Sequence, residues 1–296
     1  VSLSVTHRSR LAAFVALTKP RIIELLLVTT VPTMIVADQG VPSLWLMVAT
    51  VLGGTFAAAG ANAINMVIDR DIDALMERTR NRPLVTGELG AREALVFAIG
   101  LEVLAFVWLW GFVNLLSATL AVSATLFYVF VYSLWLKRRS SQNIVIGGAA
   151  GAVPVLVGWA AVTNGLGWAP WLLFGVIFLW TPPHFWALAI KYRDDYSAAS
   201  VPMLPSVMSI RGTTVRIIGY TVLVVVLSLA LGPAADLGVI YYLAAAGLGA
   251  AFLVSALRVH RQPDVARAMA LFTFSITYIT LLFGAMAIDQ IVRHGV

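Results

Sequence analysis

Nine stretches of about 20 mostly apolar residues dominate this sequence: 21–38, 43–68, 93–112, 115–135, 143–162, 168–190, 214–232, 236–257 and 269–291. A helix of that length crosses a hydrocarbon core of ~30 Å. In lipid every backbone N–H and C=O needs an internal partner, so such stretches read as helices rather than open strands. Only 11% of the residues are charged and 60% are hydrophobic. A soluble domain carries about 25% charged residues, so this chain has too little polar surface to face water on all sides. The expected fold is all-α: one polytopic membrane domain over residues 1–296, with nine transmembrane helices.

The connections between the stretches fall into two kinds. "DQGVPS", "GFVN", "TNGLG" and "GPAADLG" hold no Lys or Arg. Residues 69–92, "KRRSSQ", residues 191–216 and "RVHRQPDVAR", with the N-terminal segment, hold all of the 20 Lys and Arg residues except Arg21, the first residue of the first stretch, and Arg293. Positive charge marks cytoplasmic loops. The N-terminus and the charged loops are therefore expected in the cytoplasm, and the C-terminus outside. The membrane would be a bacterial cytoplasmic membrane, or the mitochondrial inner membrane for a eukaryotic chain. The formal charge of +6 is accounted for by this sorting; the lipid bilayer is the expected partner and nucleic acid is not. "RLAAFVALTKP" (10–20) lacks a small-residue cleavage site and reads as an interfacial helix ending before Pro20. Without cysteines there are no thiolate ligands or cysteine nucleophiles.

Charge is concentrated in "NMVIDRDIDALMERTRNRP" (65–83). Asn65, Asp69 and Asp73 are spaced i, i+4, i+8. Each step turns a helix by only about 40°, so the three form a ladder on one face; Asp71 points elsewhere, toward solvent or an arginine. Like charges at i, i+4 repel unless a cation lies between them. Polar groups in a membrane zone are expensive and mark function. Oxygen ligands select a hard cation such as Mg²⁺, which takes few carboxylates and completes its shell with water and phosphate. Carboxylates alone would repel a phosphate; a bridging Mg²⁺ reverses that. Arg78, Arg80, Arg82 and Lys137, Arg138, Arg139 are placed to clamp the outer oxygens of a diphosphate. No Walker loop or dinucleotide fingerprint accompanies them. The anion is then expected to ride on an apolar molecule, with its charged head at the helix mouth and its tail between the helices. That arrangement asks for a central cavity open to the cytoplasmic side.

A shorter echo, "YRDDY" (192–196), follows the sixth stretch as "DRDID" (69–73) follows the second. The two are on the same membrane side and suggest two related four-helix halves. Small residues recur in "GGTFAAAGANA" (53–63) and "GGAAGAVP" (147–154), where they are expected to let helices pack closely.

"NMVIDRDID" resembles the NxxxDxxxD motif of the UbiA-type intramembrane prenyltransferases. "LTKPRI", "DRDIDALMERTRNRPL", "LKRRSSQNIVIGGAAGAVPVLVGWAAVTNG" and "TPPHFWALAIKYRDDYSAASVPMLP" are similar to the branch of that family that farnesylates heme. The resemblance spans residues 17–205. It implies farnesyl diphosphate and heme B as substrates, heme O as product, Mg²⁺ as cofactor and handover to a heme A synthase. It also implies that Asn65, Asp69 and Asp73 hold the metal and diphosphate, and that Arg78, Arg82, Lys137 and Arg138 are the matching basic positions. In the second motif, Tyr192 and Tyr196 stand where many relatives have aspartates; Asp194 and Asp195 lie between them and join the expected catalytic set.

Departure of diphosphate leaves an allylic cation, which calls for aromatic faces and exclusion of bulk water. Tyr128, Tyr132, Trp180, Phe185 and Trp186 are the aromatic candidates. His184 in "TPPHFW" is the expected heme contact, or else a cap for a kink at Pro182 and Pro183. Glu24 and Glu102 are acidic residues inside spans; nothing else polar lies near Glu102 in its own helix. Two other readings share parts of this pattern: prenylation of an aromatic quinone precursor, and a non-catalytic heme or lipid transporter. A transporter would more naturally gather polar groups at the bilayer midplane, whereas here they collect at one face.

Overall fold

The computed structural model describes residues 9–295; the side chains of residues 21–27, Glu24 among them, lie outside the described residues. Among the described residues there is helix and no strand. The elements are α1 (Arg10–Thr18), α2 (Pro20–Asp38), α3 (Leu44–Leu75), α4 (Ala91–Phe112), α5 (Leu115–Leu126), α6 (Asn143–Thr163), α7 (Trp168–Lys191), α8 (Arg193–Ala198), α9 (Leu204–Val207), α10 (Ile210–Ala234), α11 (Val239–Arg261) and α12 (Val265–His294). α5 runs on as a π-helical segment, Phe127–Leu136.

Eight of these helices, counting α5 and its π segment as one, are long and apolar enough to cross a membrane. α2 contributes a shorter described apolar stretch, Val28–Asp38. The chain is an integral multi-pass membrane protein. Large apolar side chains such as Leu104, Val107, Trp110, Phe130 and Leu243 are exposed, as lipid-facing residues must be.

Local chemistry sets the helix ends. Ser43 accepts a hydrogen bond from Leu46 N and starts α3. Asp264 does the same for α12 through Arg267 N. α3 runs seven residues past the predicted end at 68, because its polar last turns are held by ion pairs to neighbouring segments. α1 forms the expected helix before Pro20, burying Ala13 and Leu17 against α3 and the start of α4.

Each long helix packs on its sequence neighbours, and α2 also contacts α6 and α12 and so closes the bundle. Small residues permit the close crossings. A Cβ at Gly53 would stand 2.5 Å from Leu109, and at Gly158 2.9 Å from the Thr30 carbonyl oxygen. Within "GGAAGAVP", Gly148 packs on Thr181, whereas Gly151 has open space before it. The bundle brings Lys19, residues 76–90, the α5–α6 connection and α8 together at one end, around Asn65, Asp69 and Asp73.

Candidate active site

Asn65, Asp69 and Asp73 lie on one buried face of α3, 3%, 0% and 1% exposed. Basic groups from other segments meet them. The Lys137 ammonium pairs with Asp69 Oδ2. Arg82 Nη1 is 2.5 Å from Asp73 Oδ2. Lys19 Nζ donates to Asn65 Oδ1 at 3.1 Å. Asn65 Nδ2 donates to Asp69 Oδ2 at 2.7 Å and to Ser133 Oγ at 3.0 Å. Burial pushes the Lys19 ammonium down to about 7, helped by Arg82 and Lys137 and opposed by Asp69 and Asp73.

The second oxygen of each carboxylate, Oδ1 of Asp69 and Oδ1 of Asp73, is buried and accepts no hydrogen bond. A buried acceptor without a donor is costly. A hard cation against these oxygens removes that cost, so the donor set fits one. Among the described residues no group of three or more His, Cys, Asp or Glu could cage a metal. Two carboxylates and an amide leave half the positions of an octahedral ion to water and phosphate, which suits the coordination Mg²⁺ prefers.

Beside the ladder opens a cavity of about 490 Å³, within the usual range for small-molecule sites. Lys19, Asn65, Asp73, Arg78, Arg82 and Lys137 form its polar end. Gly54, Ala57, Ala58, Ala121 and Val157 line its apolar depth. Tyr128 and Tyr132 stand between, their rings stacked with centroids 5.3 Å apart.

The π segment aligns these groups. Lys137 N donates to Tyr132 O at 2.8 Å, and Ser133 Oγ to Tyr128 O at 2.9 Å, both across five residues. At about 100° per residue, an α-helix would put Tyr128 and Lys137 on opposite faces. The wider π turn brings both to the cavity. The apolar run "FYVFVYSLWL" reads as ordinary helix in sequence and gives no signal for this.

Several expected site residues are placed elsewhere. Arg138 makes a two-pronged pair with Asp71, at 2.6 and 2.7 Å, and caps Ile68 O at 3.0 Å. It therefore braces the outer face of α3 instead of the cavity; the Asp71 carboxylate holds its guanidinium above the ordinary value. Asp195 accepts from Glu77 N and Arg78 N, each at 3.3 Å. Asp194 is exposed. Neither aspartate is on the cavity wall, nor is Tyr192, whose ring lies 5.6 Å from the Arg78 guanidinium carbon; Tyr196 does line the cavity.

His184 is packed between Trp180 and Phe272, with ring centroids 4.3 and 4.5 Å away. Its Nδ1 is 2.7 Å from Ser275 Oγ, which donates to Phe272 O at 2.6 Å. That assigns the proton to Nδ1. The histidine thus ties α7 to α12 and caps no kink, while its neighbours Trp180 and Phe185 line the cavity. Trp186 is buried against Tyr220. Glu102 has the polar partner its own helix lacks: Thr125 Oγ1 of α5 donates to it at 3.1 Å. Lys19, a direct partner of Asn65, was not singled out by the sequence reading; "LTKP" marks it only by its place beside Pro20.

A profile of the UbiA prenyltransferase family matches residues 26–282. The chain is 53% identical over 287 residues to the protoheme IX farnesyltransferase of Frankia alni, covering 96% of this chain and 99% of that one. It is 54% identical over 289 residues to protoheme IX farnesyltransferase 1 of Saccharopolyspora erythraea, covering 97% and 92%. Its fold is similar to a UbiA homologue from Aeropyrum pernix K1, with a TM-score of 0.72, 20% identity and coverage of 91% and 98%. A UbiA homologue from Archaeoglobus fulgidus bound to DMAPP and Mg²⁺ superposes with a TM-score of 0.64, 18% identity and coverage of 93% and 99%. With the profile match, the full-length relatives and the shared fold in agreement, the chain belongs to the UbiA prenyltransferase family.

Proposed function

We propose that this protein transfers the farnesyl group of farnesyl diphosphate to a vinyl group of heme B, with addition of water, to give heme O. One observation carries the reading most directly. Two buried carboxylates, each with an unpartnered oxygen, stand beside a basic cluster at the polar end of an apolar cavity. The relatives named protoheme IX farnesyltransferase support heme as the acceptor.

Asn65, Asp69 and Asp73 would hold Mg²⁺, the two aspartates through their unpartnered Oδ1 atoms. When bound, Mg²⁺ neutralises diphosphate and makes it a better leaving group. Arg78, Arg82, Lys137 and Lys19 orient the same diphosphate and stabilise the charge it gains as the C1–O bond breaks. The bond electrons leave with the diphosphate. Tyr128 and Tyr132 offer ring faces to the allylic cation. Gly54, Ala57, Ala58 and Ala121 receive the tail and keep water from it. The heme sits against Trp180, Phe185 and Leu188. Its vinyl π electrons form the new carbon–carbon bond to C1; water then adds to the resulting cation and loses a proton. The polar end of the cavity faces the cytoplasm, and the product passes to a heme A synthase.

The test is turnover by the purified full chain with Mg²⁺, farnesyl diphosphate and heme B, with product mass read directly. A heme that has gained farnesyl and water is expected. Prenylation of 4-hydroxybenzoate instead would move the assignment to quinone precursors, and no turnover of either acceptor would leave a transporter.

A further inference from the structure

We propose that Asp195 and Tyr192 act on the reaction as positioning residues for Arg78, and that the "YRDDY" segment is a platform for that arginine instead of a second metal site. The proposal rests on the reading above that Arg78 meets the donor diphosphate.

The chain leaves α3 at Met76, whose backbone is extended (φ −98°, ψ 130°), and turns sharply, with Thr79 N donating to Met76 O at 3.1 Å. This bend exposes two consecutive amides. Asp195, on the first turn of α8, takes both, one on each carboxylate oxygen. Both oxygens of this carboxylate are thus turned to backbone amides, and Asp195 is not on the cavity wall. Tyr192, immediately before α8, places its ring 5.6 Å from the Arg78 guanidinium carbon, within reach of a cation–π contact. Lys191 Nζ lies 5.1 Å from the same ring. One short segment thus holds the backbone of residue 78 and offers a ring face to its side chain.

Arg78 differs from its basic neighbours. Arg82 and Lys137 are paired with the ladder carboxylates. Arg78 lines the cavity and, among the described residues, forms no ion pair. Among the described residues no carboxylate takes its donors, and a guanidinium on a loop needs an external hold. A tyrosine ring serves Arg78 better than an aspartate would at position 192, since a carboxylate there would pair with the guanidinium and withdraw it from the cavity. The tyrosine at position 192, where many relatives have an aspartate, thereby has a physical reason.

The experiment compares Asp195→Ala, Asp195→Asn, Arg78→Ala and the Asp195→Ala/Arg78→Ala double variant in the full chain. Asp195→Ala is expected to raise KM for farnesyl diphosphate about tenfold with a much smaller change in kcat. Asp195→Asn, which still offers an acceptor oxygen, should lose less. In the Arg78→Ala background, Asp195→Ala should add nothing. The Mg²⁺ concentration for half-maximal rate should stay as in the wild type, and trypsin should cut after Arg78 faster in Asp195→Ala. Additive losses, no effect of Arg78→Ala on KM, or a Mg²⁺ requirement raised several-fold by Asp195→Ala would each overturn the proposal. If the wild-type chain makes no heme product, the functional reading fails on its own. The tryptic rate still decides the Asp195 contact, and an unchanged rate overturns it.

Discussion

At Asp69 a carboxylate with no exposed surface has Lys137 and Asn65 on one oxygen and no hydrogen bond on the other. Removing one member of a buried pair leaves an uncompensated charge. Lys137→Gln should therefore lower stability by about 3 kcal/mol, read from thermal unfolding in detergent, and Mg²⁺ with diphosphate should restore part of it. Asp69→Asn should leave the protein inserted while turnover falls roughly a hundredfold; turnover near wild type would remove Asp69 from the metal-holding role. The spacing of Asn65, Asp69 and Asp73 could be read from sequence because helix geometry alone puts them on one face. The partners of Arg138 and Asp195 could not, since they lie 67 residues or more away along the chain. Glu102 makes the same point: its partner Thr125 belongs to another helix.

Among the elements, the π segment does most to convert a bundle into a site. Its five-residue repeat carries Tyr128, Tyr132 and Lys137 to a common wall. Deleting the lipid-facing Phe130 and relaxing the segment to α spacing would turn Lys137 about 80° away from Tyr128. Turnover should drop at least tenfold, by loss of one diphosphate contact, while circular dichroism shows helical content near wild type. Unchanged turnover would mean that the wide turns have no part in placing Lys137. No apolar periodicity reports a π turn, because every residue around it is hydrophobic and the pattern has no polar face to mark its phase. α3 is the contrary case. Its apolar run shows where the helix sits in lipid, and its acidic repeat shows which way its end faces.

The whole molecule sets the depth of the cavity. The helical rise from Asn65 to Gly54 is about 16 Å. An extended farnesyl main chain of twelve carbons measures about 14 Å at bond lengths near 1.5 Å. A Cβ at Gly54 would meet nothing within 4 Å, so this glycine leaves room in the cavity that no neighbouring helix fills. Gly54→Leu should place a side chain there and raise KM for farnesyl diphosphate at least tenfold, with geranyl diphosphate still accepted. Equal losses with both donors would show that Gly54 does not sense chain length. Apolar length, the one-sided distribution of Lys and Arg, and the acidic ladder were decided by local sequence, because transfer of a segment into lipid and the pitch of a helix depend on nearby residues alone. The tertiary structure decided which cation meets which carboxylate, that His184 is enclosed between two helices, and that Arg78 reaches the cavity wall. Those outcomes depend on which distant surfaces touch, and only the packed bundle determines that.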